Sequence, residues 1–247
     1  MTWFDISRRQ WHQTGQGLLA DRNNRSIFLS LKQDMDAFVY LGGITSPAVN
    51  GKTVALDNTV EALLPGSDRL NIRDIPMAFC PVQANMGHAF VSAKGACEKK
   101  LSFHPVKSGN RALLMDDTGG EWVRIAEIRD TGFQLSSPIE RVYGDNAHLI
   151  PVEKVTYFVS LAPYGTTKAY TLFRRIEGYD AMGLVGGILG FNVQYALQQN
   201  GRCHPGHYFY ANQVKDWSDV CRMRVTWRLQ HSPRPFQVEF GVRNVLP

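Results

Sequence analysis

The sequence predicts an α+β fold: a long N-terminal helix packed on antiparallel β-sheet, with a disulfide-stapled, β-rich head. Three observations carry this expectation. Residues 3–42 show a three-and-four apolar period without a proline, the rest reads as short strands cut by turns, and the four cysteines fall in two local pairs. A chain of 247 residues can bury a sizeable core as one domain or two. With 44% hydrophobic and 20% charged residues it has the composition of a folded chain, which excludes wholesale disorder.

The helix comes first. Ile27, Phe28, Leu31, Met35 and Phe38 recur at steps of three and four and form the predicted core stripe. Arg25, Lys32, Gln33 and Asp36 lie between them and give the other face to solvent. Gly15 and Gly17 weaken the first half, where Trp3, Phe4, Ile6 and Trp11 have few apolar neighbours in sequence. As one helix from 3 to 41 the segment spans about 58 Å, more than a domain of this size needs. Part of it is therefore expected to project, with Trp11 a candidate contact for another subunit. Gly42, Gly43 and Pro47 stop the helix, and a head over 43–247 follows.

The head reads as strands at 53–56, 69–75, 89–93, 101–104, 111–115 and 122–128, with Asp116-Asp117-Thr118-Gly119-Gly120 as a hairpin turn. Residues around 77–145 have the look of an insertion. A second hairpin runs through Val155, Tyr157 and Val159 to a turn at Pro163-Tyr164-Gly165, then back through Tyr170, Leu172 and Arg174. Further on, Cys221, Met223, Val225, Trp227 and Leu229 alternate with Arg222, Arg224, Thr226 and Arg228, a half-buried strand with an arginine face. Arg222, Arg224 and Arg228 are candidates for a subunit contact or a nucleic-acid contact; the bland alternative is a solvated strand guarded against aggregation.

Cys80 with Cys97 and Cys203 with Cys221 each close a short loop, as disulfides in an oxidising compartment do. Four free thiols are the alternative. Cys203, His204, His207 and Cys221 match no zinc-finger spacing. Asp116, Asp117 and Glu121 could offer oxygens to calcium but read as a solvated turn. The glycines of 183–190 lack G-x-G-x-x-G, and G-x-S-x-G is absent. No enzymatic activity, metal or cofactor is expected. No run of about 18 apolar residues is present to cross a bilayer as a helix.

One pattern is recognisable. Ser7-Arg8, Trp11, Asn23, Arg25, the step from Leu31 to Asp34, and Tyr40-Leu41-Gly42 follow one another without a gap. Later come Val155 to Val159, Leu172-Phe173-Arg174-Arg175, Val193-Gln194-Tyr195, Trp217-Ser218-Asp219-Val220, the strand from Arg222 to Leu229, and the ending from Phe240 to Asn244. Together these resemble the PilW-type minor pilins of type IV pili, and GspJ-type pseudopilins of type II secretion share the general plan. The middle, about 44–145, matches only loosely. The resemblance implies a pilin-like fold and a structural subunit that primes or caps a pilus in support of adhesion, twitching motility or DNA uptake. Its partners would be other minor pilins and the major pilin, with DNA or a host surface at the pilus tip. It further implies a Gram-negative inner membrane facing the periplasm, then the pilus, with a membrane-spanning half of the helix preceding residue 1.

Overall fold

The computed structural model describes residues 3–40, 64, 66–76, 79–94, 97, 108–162, 169–199, 202–203, 206–216, 219–230, 232 and 234–241. In chain order these form helix α1 (Trp3–Tyr40) and strands β1 (Leu70–Pro76), β2 (Cys80–Ala84), β3 (Phe90–Ala93), β4 (Arg111–Asp116), β5 (Gly119–Arg129), β6 (Gly132–Leu135) and β7 (His148–Leu161). After them come β8 (Tyr170–Ile176), β9 (Met182–Gly186), β10 (Ile188–Gln199), β11 (Arg202–Cys203), β12 (Phe209–Tyr210), a short 3-10 turn at Ala211–Gln213, β13 (Val220–Leu229) and β14 (Phe236–Gly241).

The expected α+β, pilin-like class is corrected by this content, which is dominated by strand. The described residues are mostly β-sheet, with one α-helix and large antiparallel sheets among them. The strands are longer than the turn residues suggested. β7 carries Pro151 within its 14 residues and β10 carries Gly190 within its 12. Neither residue ends its strand: Pro151 pairs Ala112 of β4, and Gly190 pairs Arg228 of β13 beside a register shift.

The chain divides into two compact units, one of residues 1–72 with 155–247, the other of 73–154. The second unit is a ring of antiparallel strands in the order β2-β3-β6-β5-β4-β7, and β2 also pairs β7 to close it. Among the described strands of this unit, closure leaves no free edge. Its interior follows from strand alternation: Val82, Val91, Ala112, Leu114, Val123, Ile125, Phe133 and Leu149 all point inward and pack in one cluster. Gly132 is needed in β6, because a Cβ there would run into the carbonyl oxygen of Val91 on β3.

In the first unit, β7 from Val155 onward pairs β8, and β8 pairs β9. A second sheet runs β11-β10-β13-β14, with β12 also on β10. Its inward row of Val193, Tyr195, Met223, Val225, Trp227 and Leu229 is buried. The turn before β1 is tied to this sheet: the Asp68 carboxylate accepts from Val193 N at 2.7 Å, and Asp68 N donates to Phe191 O at 2.7 Å.

Helix α1 has 38 residues, so it runs about 57 Å. Its described buried side chains, Ala20, Asn24, Ile27, Leu31, Asp34 and Met35, follow a three-and-four step and make one narrow seam. Gly17 is exposed, and a Cβ built there meets nothing within 4 Å. Gly17→Ala is therefore expected to raise stability by about 0.5–1 kcal/mol, read as a higher urea midpoint at unchanged slope.

Candidate interaction surfaces

The helix seam explains how one face of α1 is held. Between Leu31 and Met35 the carboxylate of Asp34 is buried and receives three donors: Tyr157 Oη at 2.6 Å, Arg174 Nε at 2.8 Å and Arg174 Nη2 at 2.7 Å. Strands β7 and β8 deliver these two partners from adjacent positions, since Tyr157 pairs Arg174 in register. The guanidinium is held more firmly protonated, first by its hydrogen bonds to Asp34. Burial, followed by the Asp34 charge, pushes the Tyr157 hydroxyl far up, so it stays a donor at any physiological pH. Nearly three turns earlier along the helix, Asn24 Oδ1 accepts from Trp227 Nε1 at 2.7 Å. These charge-assisted and buried bonds fix the roll of the helix about its own axis.

With that roll fixed, the opposite side is determined. Leu18, Arg22, Arg25 and Leu29 follow steps of four, three and four and share one outward stripe, Leu18 being 68% and Leu29 50% exposed. Leu19 is exposed beside them. Phe28 belongs to the predicted core stripe, and here the structure corrects the sequence: its ring is 36% exposed while Ile27, Leu31 and Met35 are buried. Phe28 lies one residue past Ile27, so it turns about 100° away from the seam. The side chains of Trp11 and Phe38 lie outside the described residues.

The arginine face is present but is not three free cations. Met223, Val225, Trp227 and Leu229 point inward from β13 and the arginines outward. Arg224 pairs Glu239 across β13 and β14, with Nε at 3.1 Å and Nη2 at 2.8 Å from Oε1. Its guanidinium carbon lies 3.5 Å from the ring centroid of Tyr208. Arg222 approaches the same carboxylate at 3.8 Å. Glu239 thus offsets one of the charges, and the hydrogen bonds from Arg224 hold its carboxyl below the usual carboxylate range. Arg228 is exposed on the same face. Tyr208 and Glu239 were missed in the sequence because neither is near the stripe in number; Glu239 could have been found from the alternation of β14 opposite β13.

Cys80 is bonded to Cys97 and Cys203 to Cys221. That removes both thiolates a zinc site at Cys203, His204, His207 and Cys221 would require. Among the described residues no group of His, Cys, Asp and Glu is gathered for a metal. Asp116 has its oxygens engaged within the protein: Oδ1 accepts from Thr118 N and Oγ1, and Oδ2 accepts from Gly144 N at 2.9 Å. The Gly144 amide, then the Thr118 hydroxyl, hold its carboxyl down to about 2. The Gly144 contact is thus expected to persist on acidification below the ordinary Asp value and to be lost only as pH falls through about 2. The Gly144 amide proton shift, followed by NMR against pH, reads this; a midpoint at or above 3.8 contradicts it. No family model matches the chain, and no curated protein or solved structure matches it either.

Proposed function

We propose that this chain is a non-enzymatic assembly subunit, a minor-pilin component of a Gram-negative type IV pilus that joins other minor pilins in priming or capping the filament. The observation that carries the proposal is the two-sided helix. One side is tied to the sheets through Asp34 and Asn24, while the stripe of Leu18, Arg22, Arg25 and Leu29 is left exposed on the other. A helix locked in roll with an outward stripe of leucine and arginine is suited to ridge-into-groove contact with a neighbouring helix. The run from Ser7 to Gly42 that resembles PilW-type minor pilins covers this same helix. Two disulfides are consistent with the oxidising periplasm, where such a subunit would be held at the inner membrane before entering the pilus.

In this reading the mechanism is geometric. Other minor pilins and the major pilin contact the outward stripe, and the arginines of β13 add polar contacts at a rim. The test is site-specific crosslinking from position 18 or 29 in cells making the minor pilins. Crosslinks to a minor pilin from these positions, and none from the buried position 31, support the proposal. Equal crosslinking from all three, or none from 18 and 29, refutes it.

A further inference from the structure

Strand β14 is the outer strand of its sheet. Among the described strands it pairs β13 alone, and no backbone hydrogen bond from a described residue reaches its other side. Folded proteins usually blunt such an edge with a proline, a bulge or a charge. Within Phe236–Gly241 there is no proline, and the register with β13 runs from Trp227–Phe236 to Arg222–Gly241 without a shift. Its one charged residue, Glu239, is already bonded by Arg224 at 2.8 Å and approached by Arg222 at 3.8 Å. The edge is regular and unguarded.

The side chains of β14 stop short of full cover as well. Met223, Val225 and Trp227 of β13 are buried, whereas the residues directly opposite them, Phe240, Val238 and Phe236, are only half-buried. The Phe236 ring stacks on Trp227 with centroids 6.2 Å apart. The apolar row thus loses cover at the last strand, where a further strand would supply it.

We infer that β14 pairs with β14 of a second copy of this chain, antiparallel about a two-fold axis through Val238, so that the two sheets become one. The order of the strand selects this occupant. Phe236-Gln237-Val238-Glu239-Phe240 has the same pattern read in either direction. With Val238 facing Val238 of the copy, Phe236 faces Phe240 on the inward side and Gln237 faces Glu239 on the outward side, each twice by symmetry. Other registers fit less well. One centred on Glu239 sets two glutamates directly opposite each other, and like charges so placed destabilise a sheet. One centred on Gln237 sets Phe240 against Arg234. A slip by a single residue puts inward side chains against outward ones. Main-chain hydrogen bonds along the shared edge supply the affinity, and the register supplies the selection. The inference uses no residue of the helix stripe and does not rest on the pilus reading.

The experiment follows self-association of the full chain by sedimentation equilibrium across the micromolar range, with hydrogen exchange read at the two ends of that range. The expected result is a reversible monomer–dimer equilibrium, with protection of the β14 amides that rises with concentration while that of β10 stays constant. Gln237 is exposed and lies opposite the uncharged Thr226 in its own sheet, so charging it disturbs the fold little. Gln237→Lys creates two opposed pairs of opposite charge and should tighten the dimer about fivefold. Gln237→Glu creates two of like charge and should weaken it by about the same factor. A purely structural effect of these variants would not change sign with the charge. Leu18→Glu with Leu29→Glu should leave the dimer unchanged, which separates this contact from the helix stripe. The inference is overturned by a monomer at every concentration, by β14 protection that is independent of concentration, or by Gln237 variants that shift affinity in the same direction. Loss of the dimer on substitution of Leu18 and Leu29 also overturns it.

Discussion

Asp34→Ala is expected to destabilise the unit that carries the helix by about 3–5 kcal/mol, the cost of removing one partner of a buried ion pair. The magnitude follows from what the substitution leaves behind. The Asp34 side chain is 4% exposed and that of Arg174 20%, so the guanidinium would stay largely out of water with its partner gone. Tyr157, fully buried, would lose the acceptor of its hydroxyl. Replacing both charges with leucine, at Asp34 and Arg174 together, should recover part of the loss, because the surviving charge and not the missing contact is the larger cost. Urea unfolding of the single and double variants reads both effects. A loss below about 1 kcal/mol, the scale of exposed pairs, would mean that the network does not hold the helix.

The second large effect belongs to the ring. Only two residue pairs, Cys80 with Leu149 and Pro81 with His148, join β2 to β7 and complete the closure, against six between β4 and β5. Cys80 sits in that thin seam, and its bond to Cys97 closes a loop with a sequence separation of 17. Removing it by Cys80→Ala with Cys97→Ala is expected to cost about 2–5 kcal/mol. Cys80 is fully buried in the ring interior, so the lost sulfur packing adds to the lost chain constraint. Hydrogen exchange should locate the change: amides of β2 and β3 should open first, while those of β10 and β13 keep their protection. Uniform loss of protection across both units would contradict two separately closed cores.

How much of this was legible in the sequence differs by feature, and for physical reasons. The disulfide partners were legible because each pair closes a short loop and no competing cysteine is near. The steps from Ile27 to Leu31 to Met35 are readable because a seam against sheets needs a 3.6-residue period. Phe28 misled because hydrophobicity alone says nothing of roll; that is set by Asp34 and Asn24, whose partners Tyr157, Arg174 and Trp227 are more than a hundred residues away. Asp34 itself carried a signal, being a carboxylate on the apolar face between Leu31 and Met35. The dominance of β-sheet was underread because proline and glycine weaken a strand signal in the sequence alone, whereas Pro151 pairs Ala112 and Gly190 pairs Arg228 within their strands. Ring closure depends on β2 meeting β7 across more than sixty residues, which no local period encodes. The pairing of Arg224 with Glu239 is likewise a property of register.

The central claim is that this chain assembles with pilus subunits through the outward face of its helix. It is tested most directly by pull-down of the full chain against co-expressed minor pilins at about 150 mM salt, beside a DNA shift assay in the same buffer. The apolar part of such a contact is not screened by salt, whereas three arginines partly offset by Glu239 can neutralise few phosphates and should bind DNA only weakly. The expected result is capture of a minor pilin by the native chain and loss of capture by Leu18→Glu with Leu29→Glu, with no DNA shift at micromolar protein. DNA bound at sub-micromolar affinity with no minor pilin captured would contradict the account.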